Sequence, residues 1–179
     1  MGVSADGFIA GPGGEIDWSA PDAELHRFHN AQTRELGAQL LGRGLYEDML
    51  PWETAEQDPA APDYVREFAQ LWKALPKIVF STRLENVEGN ARLASRGVAE
   101  EVATLRQEPA GKDVAVGGAG LAASLTRLGL IDEYRMFVNP VVLGAGTPYF
   151  PRLDEWIALE LLETRTFGSR VVYLRYRLV

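Results

Sequence analysis

The spacing of apolar and polar positions along the chain predicts helices and strands in turn. Ser19, followed by Pro21 and the acidic Asp22 and Glu24, reads as a helix start with proline in the first turn. From there Leu25, Phe28, His29, Thr33 and Leu36 recur at a helical period, and Gly37 ends the run. Residues 39–42 read as a short strand and 45–50 as a short helix. Residues 64–74 place Val65, Phe68, Leu71 and Trp72 on one helical face, and Pro76 closes it. KIVFS, residues 77–81, has the continuous apolar character of a buried strand. Residues 92–94 read as a short strand, 98–106 as a helix, 113–116 as a strand, 121–128 as a helix closed by Gly129, and 133–138 as a strand. At the end of the chain, strands over 159–166 and 170–178 flank a Gly168-Ser169 turn, which makes a β-hairpin with Val171, Tyr173, Arg175 and Arg177 on one alternation. Residues 1–5 read as the end of a strand. This order predicts an α/β domain with a mostly parallel central sheet, flanking helices and an antiparallel C-terminal hairpin.

Length and composition keep the picture to one domain over residues 1–179. The chain has 46% apolar and 24% charged residues, ordinary for a globular protein. No repeat or low-complexity tract interrupts it; the most loop-like stretch, residues 51–63, carries three prolines and reads as a surface connection. A net charge of −7 argues against nucleic acid or an anionic membrane as partner. With no cysteine, disulfides, thiolate catalysis and Cys-based metal sites are excluded, and two histidines cannot make a three-His site. No apolar run reaches the ~18 residues of a membrane span. The opening residues lack the pattern of a secretory signal, so a cytoplasmic protein is expected.

The most chemical-looking segment is DVAVGGAGLAASL, residues 113–125, where a strand runs through glycines directly into a helix. Glycines let a backbone approach a ligand, and a helix N-terminus favours an anion such as a pyrophosphate. The same residues would equally make a tight, ligand-free packing turn. Gly118-Ala119-Gly120-Leu121-Ala122-Ala123 matches GxGxxA, the Rossmann dinucleotide fingerprint. Its late position, and the missing acidic residue after the next strand, argue against that frame. Gly42-Arg43-Gly44 and Ser81-Thr82-Arg83 also follow predicted strands. Each alone reads as a polar turn. If the strands are parallel, all three segments meet at one rim, where open α/β sheets bind ligands. His26 and His29 lie on the first helix and read as helix-face residues before they read as general acids. Trp18 follows the glycine loop and could line a cleft.

Together these segments resemble the dihydrofolate reductase-like superfamily, in the branch of the riboflavin-biosynthesis reductase domain, the RibD C-terminal domain. SADGFIAGPGGEIDW (4–18), LLGRGLYEDM (40–49), KIVFSTRL (77–84) and VGGAGLAASLTRLGLIDEYRMFVNPVVLGAGTPYF (116–150) match its blocks in order, over nearly the whole chain. The resemblance implies NADPH and hydride transfer to a small heterocyclic or carbonyl/imine substrate, similar to 5-amino-6-(5-phosphoribosylamino)uracil reductase, and it implies a homodimer. It implies that Ala10 and Ile16 border the nicotinamide. Gly42, Arg43 and Gly44 approach the phosphates, and Ser81, Thr82 and Arg83 sit at the adenosine 2′-phosphate. Gly117, Gly118, Ala119, Gly120 and Leu121 cradle the pyrophosphate. Asp6, Trp18, Pro140, Val141, Leu143 and Gly144 face the substrate. The acid that protonates pterins in dihydrofolate reductases has no matching position, although Asp22 and Glu24 lie nearby, so folate reduction is not expected. Two other readings compete: a nucleotide-binding module without turnover, and an NAD-dependent Rossmann dehydrogenase.

Overall fold

A computed structural model describes residues 1–107 and 111–179. By their internal contacts they form two compact units, Met1–Leu25 with Ala123–Val179, and His26–Ala122.

Unit two (His26–Ala122) is built on a four-stranded, all-parallel sheet. Its strands are β3 (Leu36–Gly42), β4 (Lys77–Phe80), β5 (Ala91–Leu93) and β6 (Asp113–Gly117), in the order β5-β4-β3-β6. The register pairs Gly42 with Phe80, Leu41 with both Val79 and Gly117, and Val79 with Leu93. All four strands therefore end on one side. Leu36 and Gly37, expected to finish the first helix, instead open β3. That helix, α1 (Ala23–Arg34), stops at Arg34 because Leu36 is drawn into ladder pairing with Asp113. Helices α2 (Arg43–Met49), α3 (Asp63–Ala74) and α4 (Val98–Arg106) complete the unit. Leu41, Tyr46, Trp72 and Val79 make a fully buried cluster, extended by Leu45, Met49, Trp52 and Phe68. At ~25 cal/mol per Å² of apolar surface, such side chains supply most of the drive to close this layer. Lys77, also buried, donates to the carbonyls of Trp72 (2.5 Å) and Leu75 (3.1 Å), satisfying the C-terminal end of α3. The loop-like stretch before α3 carries two 3-10 turns, over Leu50–Glu53 and Ala55–Gln57.

Unit one (Met1–Leu25 with Ala123–Val179) carries a mixed four-stranded sheet. It comprises β1 (Gly2–Ser4), β7 (Glu133–Asn139), β9 (Leu159–Thr166) and β10 (Val172–Leu178), in the order β1-β7-β10-β9. β1 and β7 run parallel, and β10 is antiparallel to both its neighbours, so the expected C-terminal hairpin is present. A small antiparallel pair joins β2 (Phe8–Ala10) to β8 (Thr147–Pro148). Val3, Phe137, Phe167, Val171 and Tyr173 are buried, with the rings of Phe137 and Tyr173 4.9 Å apart. α5 (Ala119–Arg127) begins in unit two and ends in unit one. No helix among the described residues is long and apolar enough to cross a membrane.

Candidate functional site

At the strand-end rim of unit two, Arg43 and Gly44 open α2 directly after β3 ends at Gly42. Ser81, Thr82 and Arg83 follow β4, and Gly118 and Ala119 lead from β6 into α5. Gly118 adopts φ +99°, and a Cβ there would sit 3.3–3.4 Å from the backbone of Gly42. A Cβ on Gly117 would meet the side chain of Leu45 at a clashing distance. The two glycines thus let β3 and β6 close together at their ends, while α5 opens at the rim with its first-turn amides, a geometry suited to a phosphate. Leu121, on the first turn of that helix, is buried against Gly42.

On the other side of β3 lies a cavity of about 470 Å³, lined by Arg43, Phe80, Ser81, Thr82, Arg83, Ala94 and Arg96. Three guanidiniums and two hydroxyls surround an apolar floor. The Ser81 hydroxyl oxygen accepts the N–H groups of Arg83 and Leu84, both at 3.0 Å, which fixes the turn and leaves its proton to donate elsewhere. Arg43 is already engaged by Glu47 on the same helix, at 2.8 Å. Arg96 is a residue that sequence reasoning did not select. The signal was present: β5 ends at Leu93, and a polar Ser95-Arg96 pair follows, as Ser81-Thr82-Arg83 follows β4. The short strand expected over residues 92–94 is β5, one residue earlier, and it pairs parallel with β4.

The residues expected on the substrate side, with Ala10 and Ile16, belong to unit one. Asp6 is held by three bonds. The Ser4 hydroxyl donates to its carboxylate, and the N–H groups of Gly144 (2.7 Å) and Leu143 (3.1 Å) donate to its two oxygens. These bonds hold its pKa down at about 2. Val141 accepts the Ala5 N–H at 2.7 Å, and Pro140 is exposed beside it. Ala10 pairs with Thr147, and Gly146 packs against the Ala10 carbonyl so closely that a Cβ there would overlap it. Ile16 is exposed, and the Trp18 indole donates to the Glu15 carbonyl at 3.0 Å. Asp6 and Pro140–Gly144 are therefore one connected loop pair, in which Asp6 serves as the tie.

Asp22 and Glu24 are also committed. Asp22 caps α1 by accepting the Leu25 N–H at 2.9 Å. Glu24 accepts the Gly168 N–H and a bond from Arg165, which lower its pKa. Burial lowers the pKa of His26, packed among Trp52, Tyr64 and Phe68, and brings that of His29 down to about 3. Both are neutral at pH 7, which removes them as imidazolium donors. Among the described residues, no cluster of acids and histidines could hold a metal ion.

Comparisons with known proteins agree with this architecture. The Bacillus subtilis (strain 168) uncharacterized protein YyaP is 35% identical over 179 residues, covering 98% of this chain and 91% of its own. A putative riboflavin biosynthesis protein from Shewanella sp. PV-4 superposes with TM-score 0.78 at 20% identity, covering 100% of this chain and 96% of its own. Dihydrofolate reductase from Enterococcus faecalis, solved with NADP(H), superposes at TM-score 0.61 and 17% identity, over 99% and 92% of the two chains. The profile of the RibD C-terminal domain matches residues 1–173, so the chain belongs to the RibD C-terminal domain family.

Proposed function

We propose that the protein is an NADPH-dependent reductase of the riboflavin-pathway type, acting on a small heterocyclic or carbonyl/imine compound. The observation that carries this reading is the rim of unit two. There the Gly118 turn with the start of α5, and the cavity of Arg43, Arg83 and Arg96, occupy different strand ends. Adjacent strands lie ~4.8 Å apart, so the two anion-suited positions are separated as a ligand with two distinct phosphate groups requires. Family membership and the reductases among its structural neighbours support the same chemistry. A dinucleotide of this kind fits the donors present: glycine-exposed backbone for a pyrophosphate, and guanidiniums with hydroxyls for a phosphomonoester.

When bound, NADPH supplies the hydride. The protein binds and orients. Arg83, Arg96, Ser81 and Thr82 hold the adenosine phosphate, and Gly117–Leu121 hold the pyrophosphate. Asp6 braces the loop through Leu143 and Gly144 that would meet the substrate. Asp22 and Glu24 are occupied by capping and ion pairing, so neither carboxylate is placed to supply the proton that balances hydride addition.

Titrating the protein with NADPH and NADH while following nicotinamide fluorescence tests the proposal. NADPH is expected to bind at least ~10-fold more tightly, the scale of one added charge-assisted contact. Absence of binding at millimolar NADPH would reject it. Binding with no NADPH oxidation across candidate carbonyls, imines and aminopyrimidines would favour a binding module instead.

A further inference from the structure

We propose that Glu101 is a positioning residue for cofactor choice, which makes the cavity of unit two selective for a phosphomonoester by fixing the corner that carries Arg96. This rests on the reading that the cavity receives the 2′-phosphate of NADPH.

Glu101 lies in the first turn of α4 and is 2% exposed. Its carboxylate reaches back past the start of its own helix. It accepts the Ser95 N–H at 3.1 Å, and the Arg96 N–H also bonds to it. The Arg92 guanidinium donates to both oxygens in a fork, at 3.0 and 2.6 Å, sharing Oε1 with the Ser95 N–H. Upstream, the Ala94 N–H still bonds to the Val79 carbonyl at 2.9 Å, so the chain leaves the sheet at Ala94 and is immediately caught by Glu101. The Arg96 guanidinium in turn donates to the Thr104 hydroxyl, one turn further along α4, at 3.3 Å. α4 therefore holds Arg96 at both its backbone and its side chain.

The charge arrangement matters as much as the geometry. Arg92 pairs with Glu101 at 2.6 Å, so the buried carboxylate already has a cationic partner and does not have to draw on the Arg96 guanidinium. Arg43, by contrast, shares its guanidinium with Glu47. A cation held in place before binding loses less rotamer freedom when the anion arrives, and that difference appears as affinity for the phosphate alone. A simple helix cap would stabilise α4 without touching ligand preference.

The test is isothermal titration of the full chain with adenosine 2′,5′-bisphosphate and with 5′-AMP, read as the ratio of the two affinities. The wild type is expected to favour the bisphosphate. Arg96→Ala should reduce the ratio roughly ten-fold, and Glu101→Ala about three- to ten-fold. The double variant should fall no further than Arg96→Ala, because Glu101 acts through Arg96. Glu101→Gln, which keeps an acceptor for the Ser95 amide, should lose less. If Glu101→Ala does not fold, Glu101→Gln is read by the same ratio. An unchanged ratio on altering Glu101, or an equal further loss in the Arg96→Ala background, overturns the proposal while leaving the phosphate cavity standing. A wild type that binds both ligands equally overturns the cavity reading itself, and this proposal with it.

Discussion

The two units spend their charged groups in opposite ways. In unit two, guanidiniums collect at the ends of parallel strands, around an open cavity. In unit one, carboxylates are consumed internally: Asp6 by a serine hydroxyl and two amides, Asp22 by a helix start, Glu24 by an amide and an arginine. Parallel strands give up their C-terminal ends to helices and loops, so polar side chains there face a common space. A mixed sheet returns its chain in tight turns, which need acceptors to hold them. A protein with net charge −7 can thus offer a local cation-rich rim, because much of its negative charge is tied up elsewhere.

Gly118→Val should break that contrast most severely. The residue needs φ +99°, where a β-branched side chain is strained, and its Cβ would press on Gly42 at the junction of β3 and β6. We expect a loss of about 2 kcal/mol or more in stability, and at least a ~100-fold loss of NADPH affinity. A thermal melt and a fluorescence titration measure the two. Wild-type affinity in a folded variant would show that the glycine turn serves packing alone.

Much of unit two was legible in the sequence, because its strands end abruptly in glycine, hydroxyl and arginine. KIVF followed by Ser81-Thr82-Arg83, and DVAV followed by Gly117-Gly118, each announce a strand end in four or five residues, and the bounds of α4 follow from its period. What was not legible depended on pairing. Leu36 and Gly37 continue a helical spacing and a helix-stop signal, yet β6 recruits them into β3; local propensity yields to the ladder. β2 and β8 have three and two residues and exist only because they meet each other. The bonds of Asp6 to Leu143 and Gly144, 137 and 138 residues away, are a long-range contact that no local pattern encodes. Arg96 depends on pairing as well: the short strand before it is legible, but its parallel pairing with β4, which brings its end to the same rim, is non-local.

Asp6→Asn sharpens the comparison from the side of unit one. The carboxylate accepts from two amides and a hydroxyl, and an amide in its place would turn an N–H toward one of those donors. The variant should be less stable than the wild type at neutral pH, with its affinity for adenosine 2′,5′-bisphosphate unchanged. The difference is pH-dependent with a definite sign. The folded-state pKa is about 2 against an ordinary 3.8, so the folded chain holds this proton more weakly than the unfolded chain does. The stability that Asp6 contributes is fully present above about pH 4 and disappears as the pH falls toward 2. Urea midpoints of both proteins across that range should converge at the acid end. Curves that stay parallel would show that Asp6 acts through shape rather than charge.

The smallest expected effect concerns Arg170, whose φ of +67° is the single left-handed backbone among the described non-glycine residues. It closes the β9–β10 hairpin, donating its N–H to Phe167 at 2.9 Å, while the Phe167 N–H bonds to Val171. Together these make a three-residue turn whose last position normally takes glycine. Arg170→Gly relieves the steric cost of that conformation and adds some unfolded-state entropy, for a net gain of about 0.5–1 kcal/mol. For a chain of this length that corresponds to roughly 1–4 °C in Tm. A lower Tm would mean that the arginine side chain contributes more than its backbone strain costs. The hairpin would then join the cavity as a place where a cation is kept for what it binds, and the contrast between the two units would narrow.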